Sequence, residues 1–124
     1  MDREKALQLY DKVVAAVAEV ERKGATMPYT SLNGHMFSIL MKDGFVALRL
    51  PAVEREAFLK RHKTKIAEQY GHVQPEYVVV PDALLTKTTE LKRYFDISLA
   101  YVRSLKPKAT TRSKKAAPKN RPRK

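Results

Sequence analysis

The chain has no cysteine, four glycines and three histidines among its 124 residues. Without cysteine it can form no disulfide, thiolate nucleophile or zinc–thiolate centre, which fits a reducing, cytoplasmic setting. The glycines are too few and too scattered for a phosphate-cradling loop or a dinucleotide fingerprint, so nucleotide hydrolysis is not expected. His35, His62 and His72 include no pair spaced to present two imidazoles on one helix face, so no metal site is expected. Apolar runs are short as well. The longest, Val13 to Ala18, is far below the roughly 20 residues that cross a bilayer, and the opening MDREKALQ is too charged for a secretory leader. No serine stands in a nucleophile-elbow context. Carboxylate pairs such as Glu54 with Glu56 and Glu19 with Glu21 lie among Lys and Arg in helical runs, where solvated surface charge is a commoner role than acid–base catalysis. These absences lead to the expectation of a soluble, cytoplasmic protein that is not an enzyme, carries no cofactor and engages no membrane.

What the chain has in excess is positive charge at one end. Residues 106–124 hold nine basic side chains (Lys106, Lys108, Arg112, Lys114, Lys115, Lys119, Arg121, Arg123 and Lys124) and no Asp or Glu. Of the 25 Lys and Arg in the chain, sixteen therefore remain in 1–105 with all thirteen acidic residues, so that segment accounts for only +3 of the total +12. Interleaved with Ala, Thr, Ser and the prolines 107, 118 and 122, the basic run has nothing apolar enough to bury and is expected to be disordered. The simplest division is one domain over 1–105, long enough to bury a core, and a Lys/Arg/Pro/Ala-rich tail over 106–124. A cationic arm binds polyanions by releasing their condensed counterions, without reading sequence. A solubilising extension with no dedicated target would have the same composition. No apolar anchor accompanies the charge, which favours nucleic acid, DNA or RNA, over an anionic lipid surface.

Within 1–105 the hydrophobic period changes several times. From Arg3 to Arg22, Leu7, Tyr10, Val14 and Val17 recur at helical spacing, with Asp2 placed to cap the start and Gly24 to stop the helix. Asn33-Gly34 and Asp43-Gly44 then separate three runs of β-formers, which predicts a three-strand antiparallel meander. Val46, Leu48 and Leu50 should face the core, with Phe45, Ala47 and Arg49 on the other side. Pro51 should end the third strand. Ala52 to His62 reads as a short helix anchored by Val53, Phe58 and Leu59, while 63–71 fits either a helix end or a loop. Glu76 to Val80 is a later, inner strand held between two prolines, and Pro81-Asp82 opens a helical region. From Thr89 to Leu105 a second apolar stripe runs through Leu91, Phe95, Leu99, Val102 and Leu105. The expected class is α+β: an antiparallel sheet packed with amino- and carboxy-terminal helices. Five of the six tyrosines lie in these core-forming contexts, so no base-stacking platform is expected.

The strand block MPYTSLNGHMF at 27–37, DGFVALRLP at 43–51, EYVVVP at 76–81 and the closing SLAYVRSL helix resemble the TfoX amino-terminal domain family, also called TfoX/Sxy-like, over roughly residues 20–105. Met27-Pro28, Asn33-Gly34, Met36-Phe37 and Val79-Val80-Pro81 carry the likeness. Gly24-Ala25-Thr26 stand where family members have Met-Phe-Gly. The resemblance implies a bacterial regulator-like or adaptor-like domain with no enzymatic activity and no cofactor. A second basic cluster, Lys60, Arg61, Lys63 and Lys65 beside His62, is either a solvated helix end or a patch continuous with the tail that grips phosphates. The sequence thus points to a regulatory or accessory protein whose tail binds nucleic acid non-specifically and whose domain meets a protein partner or a second copy. The alternative is an interaction module with an incidental tail.

Overall fold

Asn33 and Gly34 take φ values of 56° and 80°, the left-handed pair that a two-residue hairpin requires. They join β1 (Tyr29–Leu32) to β2 (His35–Leu40) in the computed structural model, which describes residues 2–17, 20, 22–24, 26–69 and 71–107. The second expected hairpin also forms, but with a longer turn. Only Gly44 is left-handed, at φ 92°, and Met41 and Phe45 close the loop through a 2.8 Å bond from the Met41 N–H to the Phe45 carbonyl. This is the three-residue loop with glycine in the left-handed position. β3 (Val46–Arg49) follows, and α2 (Ala52–Arg61) starts directly after Pro51.

The ambiguous segment 63–71 proves to be a strand. β4 (Ile66–Gln69) turns back through Gly71, at φ 77°, onto β5 (His72–Val80), which is longer than the predicted 76–80. Pro75 therefore lies inside a strand. It is tolerated because the β4–β5 register slips there: Glu68 faces Val73 but Ile66 faces Val78, so the missing N–H falls where the ladder is already broken. The sheet has five antiparallel strands in the order β1-β2-β3-β5-β4, with α3 (Asp82–Leu85) and α4 (Thr88–Ser104) completing the chain.

α1 (Arg3–Ala16) is capped as expected, the Asp2 carboxylate accepting a 2.8 Å bond from the Lys5 N–H, but it ends well before Arg22. At Val17 the backbone becomes extended, and that side chain lies in the core at 3 % exposure. Lys23 and Tyr29 then exchange two backbone hydrogen bonds of 2.8 Å. Gly24 serves this loop and not a helix end: at φ 84°, a Cβ would sit 2.8 Å from the Met27 carbonyl oxygen.

All the helices contribute to one core on one side of the sheet. Tyr10, Phe37, Phe58 and Phe95 are its largest buried side chains, packed with Val46, Leu48, Leu50, Val78 and Val80 as the strand alternation predicts. Phe95 sits at its centre, 6.3 Å from the Tyr10 ring and 6.5 Å from the Phe37 ring. Within this core the Tyr10 hydroxyl pairs with Ser38 Oγ at 2.7 Å, and Ser38 Oγ with Thr30 Oγ1 at 2.5 Å, so α1, β1 and β2 share a closed polar chain. The opposite side of the sheet carries a smaller cluster, Met41, Ala47 and Ala67 with Ile39, Tyr77 and Val79, which no helix residue joins. One α2 anchor is misplaced in the sequence reading. Phe58 is buried and Leu59 partly so, but Val53 is 77 % exposed.

Candidate nucleic-acid interface

Lys60 and Arg61 form the last turn of α2, Lys63 follows in the left-handed region at φ 51°, and Lys65 precedes β4; all four are exposed. The helix stops by a glycine-type ending executed without glycine. The Thr64 N–H bonds back to the Leu59 carbonyl at 3.2 Å around the left-handed Lys63. An L-residue in that conformation costs about 1–2 kcal/mol. Thr64 Oγ1 then donates to the Val79 carbonyl at 2.7 Å and the Lys65 carbonyl accepts from the Val79 N–H at 2.9 Å, which pins the cluster beside the β4 edge.

Lys106 is exposed at the other end of the molecule. Its carbonyl oxygen lies 2.8 Å from His35 Nε2, at the β1–β2 hairpin. Because β1 and β4 are opposite edges of the sheet, the structure does not bring Lys106 and the Lys60–Lys65 cluster together. The remaining basic residues of the expected interface, Lys108, Arg112, Lys114, Lys115, Lys119, Arg121, Arg123 and Lys124, lie outside the described residues, as does the expected disorder of their segment.

Arg61 instead meets cations that the sequence reading missed. A cleft of about 710 Å³ opens at the amino-terminal end of α4, lined by Lys12 of α1, Arg61 of α2, Lys87 of the α3–α4 link and Arg93 of α4, with Glu90 as its carboxylate. Among the described residues none of these four cations forms an ion pair, whereas Arg22 pairs with Asp11, Arg49 with Glu76 and Lys92 with Asp96. Lys87 stands at the N-cap position and cannot accept a hydrogen bond, so the first turn of α4 has no side-chain cap. The Thr88 hydroxyl in that turn is buried with no hydrogen-bond partner among the described residues. Lys12, Lys87 and Arg93 each occupy the polar side of a helix or a link, and only the packing of α1 and α2 about α4 assembles them.

Beside the cleft, His62 is bound into an aromatic group. Its ring lies 4.7 Å from Phe58, and its Nε2 is 3.0 Å from the Tyr94 hydroxyl, while Tyr94 meets Phe58 edge-on at 4.8 Å. Burial lowers the His62 pKa, and the neighbouring Arg61 and Lys87 lower it further against the opposing pull of Glu90. Near the far end of α4, one group of charges is matched within the chain. Arg49 Nη2 and Nε lie 2.6 and 2.7 Å from Glu76 Oε1, Tyr101 donates to Glu76 Oε2 at 2.8 Å, and the Arg49 guanidinium stands 5.5 Å from the Tyr101 ring centroid.

Among the described residues no helix is long and apolar enough to cross a membrane, and no group of three or more His, Asp or Glu could hold a metal ion. No protein-family model, curated protein or solved structure matches this chain.

Proposed function

We propose that this is a non-enzymatic regulatory or accessory protein that associates non-specifically with nucleic acid through its basic segment, while its α+β domain engages a protein partner or a second copy. The observation that carries the reading is the segregation of charge: nine cations and no anion in 106–124, against a net +3 for the rest. The exposed Lys60, Arg61, Lys63 and Lys65 add a cationic face to the domain, and Lys63 keeps a charged side chain where glycine would relieve backbone strain. The turn and strand-end residues Asn33-Gly34, Met36-Phe37 and Val79-Val80-Pro81 support a TfoX-type, bacterial regulator-like assignment. A cytoplasmic location is part of the same proposal, supported by a composition without cysteine, which suits a reducing compartment.

The test compares the intact chain with one ending at Pro107, which keeps the contact between His35 and the Lys106 carbonyl. Duplex DNA binding, followed by fluorescence anisotropy at several salt concentrations, should give a log–log slope near about −5 for the intact chain, as roughly six phosphate contacts would. The shortened chain should lose most of that affinity and slope while melting almost unchanged. Equal binding by both, or by neither, removes the nucleic-acid reading. The interaction-module reading would then stand on the sheet face that no helix residue joins, where Ile39, Ala47 and Val79 form one apolar row across β2, β3 and β5.

A further inference from the structure

We propose that the cleft at the amino-terminal end of α4 is a discrete binding site for a phosphate group, separate from the basic segment at the other end of that helix. Four cations from four parts of the chain, Lys12, Arg61, Lys87 and Arg93, converge on one concavity that contains a single carboxylate. Like charges gathered without counter-ions repel one another, and the fold gains nothing from the arrangement, since none of the four is paired among the described residues. An oxyanion turns that repulsion into attraction.

The floor of the cleft points to the same chemistry. α4 runs for 17 residues and opens here with no side-chain cap, so the N–H groups of its first turn are left free beside the positive end of the helix dipole. The volume, about 710 Å³, exceeds what a bare anion needs and falls in the range of sites for small organic ligands. Tyr94 and Ile97 supply an apolar wall for the body that carries the phosphate. The ligand class is therefore a phosphate ester, whether a free phosphorylated small molecule or a phosphate of a nucleic-acid strand.

α4 spans about 25 Å, so this site is well removed from Lys106 at the opposite end of the helix. The test uses amide NMR spectra of the full chain, titrated with inorganic pyrophosphate, ADP, adenosine and a short oligothymidylate at constant ionic strength. Pyrophosphate and ADP should shift the Thr88, Thr89 and Glu90 amides saturably, and adenosine should not. The exposed-site double variant Lys87→Gln/Arg93→Gln should keep its melting temperature and weaken pyrophosphate binding at those amides by about tenfold or more. Lys60→Gln/Lys63→Gln should change it less than about twofold. Tighter saturation by ADP than by the oligonucleotide identifies a small-molecule site, and the reverse identifies strand phosphates. Absent or unsaturable shifts at Thr88–Glu90, or equal binding by the Lys87/Arg93 variant, would overturn the site. Because the readout is local, it can fail while DNA binding by the tail succeeds, and the reverse.

Discussion

At the carboxy-terminal end of α4, Glu76 receives both Arg49 and the Tyr101 hydroxyl; at the amino-terminal end, Lys12, Arg61, Lys87 and Arg93 face a cleft with no carboxylate paired to any of them. The first arrangement joins β3, β5 and α4 and uses every charge it contains. Burial pushes the Glu76 carboxyl up, yet the hydrogen bonds from Tyr101 and Arg49 outweigh that and hold it below the ordinary carboxylate range. The same bond to Glu76 raises the Tyr101 hydroxyl above its ordinary value. The second arrangement contributes no attractive pair to the folded state. Charges matched within the chain hold a fold together, and charges left unmatched in a concavity are available to a ligand.

This contrast can be broken or sharpened by perturbing α4 along its length. The largest effect should come from its middle, where one side chain supports both ends. Phe95→Ala should cost about 3–5 kcal/mol by removing the ring that packs on Tyr10 and Phe37 and leaving a cavity. Urea denaturation measures it, and a loss below about 1 kcal/mol would mean that the two ends are held independently.

Tyr10, packed on Phe95, tests the polar chain beneath the helix. Burial pushes its hydroxyl up to about 12 from 10.0, against the lowering effect of its bonds to Ser38 and Thr30. A raised folded pKa favours the neutral form in the folded state, so this stability is complete below pH 10 and is lost as pH rises toward 12. The wild type should lose about 2–3 kcal/mol more than Tyr10→Phe across that window. Parallel stability–pH curves for the two proteins would show that the hydroxyl ionises without cost.

At the matched end, Glu76→Gln should destabilise by about 1–2 kcal/mol, because the half-buried Arg49 loses its counter-charge. Glu76 has a depressed folded pKa, so its contribution is present above the ordinary carboxyl value and fades as pH falls through the folded one. The variant should therefore show a shallower loss of stability in acid, and a wild-type slope in the variant would remove Glu76 from the fold's electrostatics. The smallest effect belongs to the unmatched end. Arg93→Gln should change stability by no more than about 0.5 kcal/mol, and any change should be a gain, since one like charge leaves the cleft. A clear loss in thermal melting would show that Arg93 is structural.

How much of this was legible in the sequence depended on how far apart the relevant residues lie. The Asn33-Gly34 turn was readable because its two residues are adjacent and their backbone needs are local. The core face of β3 followed from simple alternation at Val46, Leu48 and Leu50. β4 was not readable: Ile66–Gln69 has little apolar pattern of its own, and its pairing with β5 supplies the backbone hydrogen bonds that make it a strand. The early end of α1 was hidden for a related reason, since helical periodicity continues past Ala16 while Val17 is held in the core in an extended conformation. Of the candidate site, the Lys60–Lys65 cluster was visible as a run, but the cleft was not. Lys12 and Arg93 belong to different helices, and nothing local marks them as neighbours.

The sequence by itself determined the class of fold, the apolar stripe of α4 and the segregation of charge into 106–124, because composition, short-range periodicity and turn chemistry are properties of neighbouring residues. Tertiary structure alone decided which cations end up matched and which do not. Arg49 and Glu76 meet because β3 and β5 are adjacent strands despite the intervening helix and hairpin strand, and Lys12, Arg61, Lys87 and Arg93 meet because three helices pack on one side of that sheet. Coulomb energy depends on distance in space and on burial, and both are set only when the chain closes on its core.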